Sequence, residues 1–510
     1  MTPAPRADVL ARLGTEAYDL LVVGGGIVGS RVALDAARSG LRVALVDKGD
    51  FGSGTSSAST KLVHGGLRYL ATGQFRLVRE AQRERHALEE IVAPGLVWSI
   101  PLVLATTPSG SSRVLLPVAM TLYRGLAGRK GPRPKRLSLE DAPRLVPGLR
   151  AGAISSAVLL REGQTNDARL TLATVRAAAE AGADVANYVA LVSLEQSRGR
   201  VVGALLEGLP GEGSIEIRTR AVVNATGAWV DCVRRLEDPR AEPAVRLSRG
   251  ANLTLALDEP WEAALALFDS KRSVVAAPWH GLLLLGATDT PYDDDPSAAG
   301  PTEEDISSLL DSLADVLPDD LLRPERVLYA FAGLRALARG DGSTAVASRD
   351  HVLTVGPGGM VSVAGGKLTT HRLIARAALG ELPVEVRPRR LLHIDAPLAA
   401  LTAPVAHLDE LRALVGSTCL TYLVELYGAR VTELAGDASA LRPIAQGGPD
   451  LWAQARYARD VEWALCVDDV VRRRTTLELR GLATPEVRAG IAEALGLPQA
   501  VVPQTILSSV

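Results

Sequence analysis

The sequence predicts an α/β protein (α+β overall): a parallel βαβ unit, interleaved with a β-rich domain and followed by a helical C-terminal domain. Three observations predict this. A glycine turn joins two short apolar runs near the N-terminus. Strand-like patterning dominates the middle of the chain. Beyond a cluster of Pro383, Pro388 and Pro397 the pattern turns helical.

The elements follow in order. Asp19–Val23 is an apolar run of strand length, Gly24–Gly29 a glycine turn, and Ile27–Ser39 has helical spacing ended by Gly40. Arg42–Val46 is a second buried strand, completing a βαβ unit. Ala168–Ala181 reads as an amphipathic helix, and Val185–Leu194, Val201–Glu207 and Arg218–Asn224 as strands. Ser273–Ala277 and Leu282–Gly286 continue the β-rich part. Met360–Val363 runs into Gly365–Gly366 and a helix over Leu368–Leu379. Leu408–Val415, Thr421–Tyr427, Trp452–Leu465, Val467–Arg473 and Pro485–Leu495 are the C-terminal helices.

A chain of 510 residues holds two to four domains at about 100–200 residues each. The expected division is 1–395, with a dinucleotide-binding core near 17–70, 165–230 and 345–380 and a second part near 71–164 and 231–344, then 396–510. Apolar content of 47% excludes a disordered chain, and a net charge of -2 excludes a basic coat for nucleic acid. Cys232, Cys419 and Cys466 are too scattered for a disulfide framework, and no metal site is expected. Met1–Glu16 lacks the apolar stretch of a secretory signal, so a cytoplasmic, reducing location is expected.

Ile91–Ser112 carries no charge, but Pro94, Pro101 and Pro108 disqualify it as a spanning helix. Val114–Tyr123 is apolar and precedes Arg124, Arg129, Lys130, Arg133, Lys135 and Arg136. That pattern suits peripheral docking on an anionic membrane face.

The chemistry starts at Gly24-x-Gly26-x-x-Gly29. Between a strand and a helix, these glycines allow close approach of a pyrophosphate to the helix N-terminus, and Asp47 is placed to bind a ribose hydroxyl. After Asp47 comes Gly52–Ser59, rich in small donors, where a nicotinamide domain would continue its strand–helix alternation. Two further strand-to-turn segments, Ala221–Gly227 and Val361–Thr370, complete three turns facing an elongated cofactor, which fits FAD better than NAD.

The sequence resembles the FAD-dependent glycerol-3-phosphate dehydrogenase/oxidase family. The matching blocks are Gly24–Leu70, Asn166–Leu170, Val222–Asp231, Gly286–Pro296, Ser348–His351, Ala364–Arg372 and Tyr457–Thr475. The resemblance implies a Rossmann-like FAD-binding domain in which Gly24, Gly26, Gly29 and Asp47 hold the ADP half. It places Thr55, Ser56, Ser57, Lys61, His64 and Gly65 beside the flavin, Thr226 and Gly227 against the cofactor, and Gly366, Lys367, Leu368 and Thr369 at the flavin-end turn. Arg68, Tyr69, Arg335, Arg349 and Lys367 match the substrate pocket.

The implied reaction is oxidation of sn-glycerol 3-phosphate to dihydroxyacetone phosphate. His64, Arg335 and Lys367 are the catalytic candidates. Guanidinium forks suit a phosphomonoester, a neutral imidazole suits proton removal, and an ammonium suits developing negative charge. Quinone and oxygen both stay open as acceptors, and a homodimer is compatible with the reading. Asn252, Ala287, Ala336 and His371 depart from the family's usual His, Thr, Pro and Tyr, and the acids usual after the Gly-Leu-Arg arginine are missing from Ala336–Ser343. A related substrate, such as another phosphorylated or phosphonate alcohol or an amine, therefore remains an alternative, as does a flavin-binding module without turnover.

Overall fold

The structure is a computed structural model and describes residues 3–66, 73–108, 112–127, 133–268, 274–339, 351–398, 408–436 and 438–497. A six-stranded sheet orders Val352–Val355, Val361–Ala364, Val222–Asn224, Leu20–Val23, Val43–Val46 and Asp184–Ala186 side by side. All neighbours are parallel except the edge hairpin of Val352–Val355 with Val361–Ala364. The Leu20–Val23 and Val43–Val46 strands are buried at every position, which is why they read as unbroken apolar runs. Helices Ile27–Arg38, Asp167–Glu180 and His371–Gly380 pack with this sheet into one core, in which Val32, Val175 and Ile374 are fully buried.

Two expected strands divide where the chain changes sheets. The expected Val185–Leu194 strand becomes Asp184–Ala186 in the parallel sheet and Ala190–Ser197 in a four-stranded sheet, with Tyr188 between them at a left-handed φ of 53°. The expected Arg218–Asn224 strand becomes Ser214–Thr219 in the four-stranded sheet and Val222–Asn224 in the parallel one. Thr219 turns inward there, its hydroxyl donating to the Ala221 carbonyl at 2.9 Å.

The β-rich part is a ten-stranded sheet. Its long members are Val97–Thr106, Ser156–Thr165, Val245–Ala256 and Val327–Ala338. Leu62–Val63, from the segment after the βαβ unit, pairs with Ser156–Thr165 and so joins this sheet to the βαβ unit.

The C-terminal helices include Leu408–Val415, Ser417–Tyr427, Trp452–Val461 and Pro485–Ala494. The expected helix through Leu465 stops at Val461. Trp463 adopts a φ of 56°, and the Asp469 carboxylate takes the backbone N–H groups of Leu465 (2.7 Å) and Cys466 (3.1 Å), starting the next turn. That turn, Val467–Asp469, continues as a π-helical segment, Val470–Arg474.

Candidate active site

The glycine turn is shaped for an extended ligand. Gly24 has a φ of +103°, and a Cβ there would lie 2.6 Å from the Ala225 carbonyl oxygen. A Cβ on Gly29 would lie 1.9 Å from the Gly24 carbonyl oxygen, so the helix can approach the strand only without a side chain. Gly26 is different: an added Cβ would meet only the Ser56 hydroxyl, at 3.0 Å. Ser56 reaches the helix start, its Oγ accepting from the Ile27 N–H at 2.9 Å. The Ser56 hydroxyl thus sits at the helix N-terminus beside the glycine turn.

The Asp47 carboxylate accepts from the Gly25 N–H (2.6 Å) and the Gly49 N–H (2.8 Å). Burial pushes its carboxyl up to about 6, against the opposing pull of those two donors. The sign for a ligand follows. Ribose hydroxyls donate to the ionised form, so binding should be full from about one pH unit above 6 and weaken as pH falls through 6. We expect flavin to be held more weakly and released faster at pH 5.0 than at 7.5, with affinity falling by up to about tenfold per pH unit below 6. An Asp47→Asn variant should flatten the profile, whereas pH-independent release by the parent would remove Asp47 from the ribose.

Beside Asp47, Lys48 stacks its ammonium 4.5 Å from the Trp229 ring, walling this end of the site. The sequence reading did not single out either residue for the site. Thr226 and Gly227 lie at the end of Val222–Asn224, where the buried Asn224 amide donates to the Val230 carbonyl (2.9 Å) and its oxygen accepts from the Thr226 hydroxyl (2.7 Å).

The loop expected beside the flavin is tied on three sides. The Thr55 hydroxyl donates to the Leu334 carbonyl at 2.5 Å, next to Arg335. Gly333 accommodates this loop, since a Cβ there would lie 2.9 Å from the Ala58 carbonyl oxygen. The Gly65 N–H donates to Glu162 at 2.9 Å, and Glu162 is held by Arg85 (3.0 Å) and by the Tyr123 hydroxyl. The Thr369 hydroxyl meets the His64 carbonyl at 3.4 Å, bringing the Gly365–Gly366 turn, and with it Lys367 and Leu368, to the His64 loop.

Two of these residues have partners of their own within the protein. Lys61 is only 2% exposed, and its ammonium lies 2.5 Å from the Asp167 carboxylate and 5.3 Å from the Trp279 ring centre. Asp167 also takes the Ser59 N–H and hydroxyl, so Lys61 braces the loop from behind. The His64 Nδ1 accepts from the Gly66 N–H at 3.1 Å. A neutral ring held this way carries its proton on Nε2, so Nδ1 serves as a base only after the Gly66 bond opens.

Arg335 lies opposite Ser248 in the strand register. Its guanidinium donates to the Thr288 carbonyl at 2.8 Å and stands 3.6 Å from Asp289. It passes over Gly250, where a Cβ would lie 2.4 Å from Nη2. Asn252, on the same strand and 1% exposed, donates to the Gly250 carbonyl at 3.3 Å, while its Oδ1 has no hydrogen-bond partner among the described residues. His371 is buried below the flavin-end turn, and burial and Arg31 push its imidazole down to about 3, so it stays neutral. Arg68, Tyr69 and Arg349 lie outside the described residues. Ser57 sits in the same short turn as Thr55 and Ser56. Among the described residues, no group of three His, Cys, Asp or Glu side chains could hold a metal, and no helix is long and apolar enough to cross a membrane.

The fold and the glycine cradle define a flavin-dependent oxidoreductase, and the family model described as FAD dependent oxidoreductase matches residues 19–372. The chain is 36% identical to a glycerol-3-phosphate dehydrogenase of Mycobacterium leprae, over 97% of this chain and 88% of that protein. It is 32% identical to the human mitochondrial glycerol-3-phosphate dehydrogenase, over 97% and 72%. Among solved structures, the glycerol-3-phosphate dehydrogenase of Bacillus halodurans complexed with FAD superposes with a TM-score of 0.76 at 25% identity, covering 97% of this chain and 94% of that one. The L-alpha-glycerophosphate oxidase of Mycoplasma pneumoniae shares the fold, with a TM-score of 0.58, 18% identity, and coverage of 74% and 98%. The chain belongs to the FAD-dependent glycerol-3-phosphate dehydrogenase family. The residues present fit FAD: the side-chain-free approach at Gly26, the N-terminus of helix Ile27–Arg38 and the Asp47 carboxylate suit a pyrophosphate and an adenosine ribose.

Proposed function

We propose that this chain oxidises sn-glycerol 3-phosphate at C2 to dihydroxyacetone phosphate. FAD, when bound, supplies the acceptor for the C2 hydride. The observation that carries the reading is the position of Arg335. Its strand holds the Thr55 loop through the Leu334 carbonyl, so a guanidinium fork of a shape suited to phosphate stands next to the loop that follows the cofactor turn.

Arg335 binds the substrate phosphate, and Asp289 at 3.6 Å keeps the guanidinium oriented until the phosphate arrives. His64 accepts the C2 hydroxyl proton at Nδ1 when the Gly66 N–H turns away. Lys367, at the flavin-end turn, stabilises the negative charge that develops beside it. The resemblance assigns Arg68, Tyr69 and Arg349 to substrate binding as well. The test is anaerobic mixing with glycerol 3-phosphate while the flavin absorbance is followed. Bleaching is expected, and a flavin that stays oxidised would remove this substrate.

The proposed electron acceptor is a membrane quinone reached by peripheral docking. The helix Ser112–Ala127 turns Leu116, Met120 and Tyr123 into the core. Leu122 (40% exposed) and Phe75 (46% exposed) remain outside, with Arg124, Arg133, Lys135 and Arg136 exposed nearby in sequence. Each cation near an anionic surface contributes about 1 kcal/mol, so docking should weaken with salt. Co-sedimentation with anionic vesicles should drop when Arg133, Lys135 and Arg136 are changed to Gln. Equal partitioning of the two proteins, with fast peroxide release in air, would favour oxygen as acceptor and no anchor.

A further inference from the structure

The residues that carry Asp47 are locked to the C-terminal helical domain by a buried network. Asp50, three residues after Asp47, is 1% exposed. Its Oδ1 accepts from Arg474 at 2.8 Å and from the Asn187 amide at 3.1 Å, and its Oδ2 accepts from both Arg473 and Arg474. Arg473 also donates to Asp469 at 2.7 Å, so two arginines face two carboxylates and the buried charge is balanced. Arg474 continues to the Glu462 carbonyl at 2.6 Å.

The neighbouring loop closes the circuit. The Val189 N–H donates to the Asp47 carbonyl (2.8 Å) and the Tyr188 N–H to the Gly49 carbonyl (2.9 Å). The side chains of the same loop face the C-terminal domain. The Asn187 amide donates to the Trp463 carbonyl at 2.8 Å and the Tyr188 hydroxyl to Asp469 at 2.6 Å. Below the glycine turn, Phe51 fills the space beside Gly25, where a Cβ would strike its ring at 2.4 Å, and the Trp463 ring packs edge-on against Phe51 at 5.5 Å. Backbone, side-chain and ring contacts therefore all run from the adenosine end of the cofactor site into residues 462–474.

We propose that docking of the C-terminal domain through Asp50, Arg473 and Arg474 positions the Asp47 loop, so that FAD binding and this docking strengthen each other. Asp50, Arg473 and Arg474 are positioning residues in this account and touch no reacting atom. Linkage requires reciprocity: if the dock tightens FAD, FAD tightens the dock by the same factor. Couplings of this kind span about 5- to 150-fold.

Two measurements on the full chain test it. In the first, the wild-type protein is compared with and without bound FAD by hydrogen exchange. FAD is expected to slow exchange at residues 462–476 as well as at 24–54, with little change in Pro485–Ala494. Protection confined to 24–54 would overturn the coupling, and this arm needs no variant to fold. In the second, the holoproteins are diluted and free flavin fluorescence is followed. Asp50→Asn and the milder Tyr188→Phe should release FAD faster, by about 10-fold or more for Asp50→Asn. Arg488→Ala, which removes ion pairs to Asp468 and Glu478 and none of the bonds made by Asp50, should release it at the parental rate. Parental release by Asp50→Asn, or equal acceleration by Arg488→Ala, would overturn the proposal. It rests on FAD occupying the Gly24–Gly29 turn: a purified protein without flavin fails that assignment, whereas a yellow protein with unchanged exchange at 462–476 fails only the coupling.

Discussion

Gly26→Leu should purify as a folded, colourless protein. The two inner glycines separate the turn from its ligand. At Gly29 a Cβ would stand 1.9 Å from a backbone carbonyl, so Gly29→Ala deforms the turn itself. At Gly26 the new Cβ meets only the end of the Ser56 side chain, which can rotate away. The rest of the leucine then projects in front of the helix start, into the volume a pyrophosphate needs. Overfilling a tight site costs about 1–3 kcal/mol, and displacing the phosphates from their donors adds to it, so flavin affinity should fall on the order of 100-fold or more. Flavin absorbance per protein, with far-ultraviolet circular dichroism as the folding control, measures this. Full flavin occupancy in Gly26→Leu would place the pyrophosphate elsewhere.

Arg335→Ala should lose about 2–5 kcal/mol of kcat/KM for glycerol 3-phosphate while its flavin content stays normal. The loss has two parts. The phosphate gives up a bidentate partner, and the Asp289 carboxylate, 3.6 Å from the guanidinium in the parent, then faces the phosphate unscreened. An added Asp289→Asn change should therefore restore part of the rate, an effect that a purely structural arginine would not produce. Arg335→Lys should fall between the parent and Ala, because it retains the charge and loses the fork. Unchanged kcat/KM in Arg335→Ala would make the arginine a structural ion-pair residue.

The parts of the fold legible in the sequence are those written locally. Leu20–Val23 and Val43–Val46 are buried on both faces of a parallel sheet, so apolar runs beside glycines announce them. The sheet changes at Tyr188 and Thr219 are not legible, because strand patterning continues through both while the hydrogen-bonding partner changes. At the site, the glycine turn and Asp47 could be read from spacing alone. Arg335 could be singled out among many arginines only through its motif resemblance. Asp167 was visible in a matched block, but its partnership with Lys61 was not, since the two lie 106 residues apart with no period to connect them. The Glu162 anchor of Gly65 escaped for the same reason, at a separation of 97 residues. His64 is named by the resemblance, and only the structure shows that Gly66 occupies its Nδ1.

The strand order of the parallel sheet has a consequence for how the chain is made. Its central pairing, Leu20–Val23 with Val222–Asn224, waits for about 200 intervening residues to emerge, roughly 10–40 s at ordinary synthesis rates. The next neighbour, Val361–Ala364, emerges later still. Through that interval the nascent βαβ unit presents an unpaired sheet edge beside a run of aliphatic side chains, a template for pairing with another chain. High contact order of this kind slows folding and prolongs exposure. Overproduction should consequently favour aggregates, and slowing synthesis by lower temperature should raise the soluble yield.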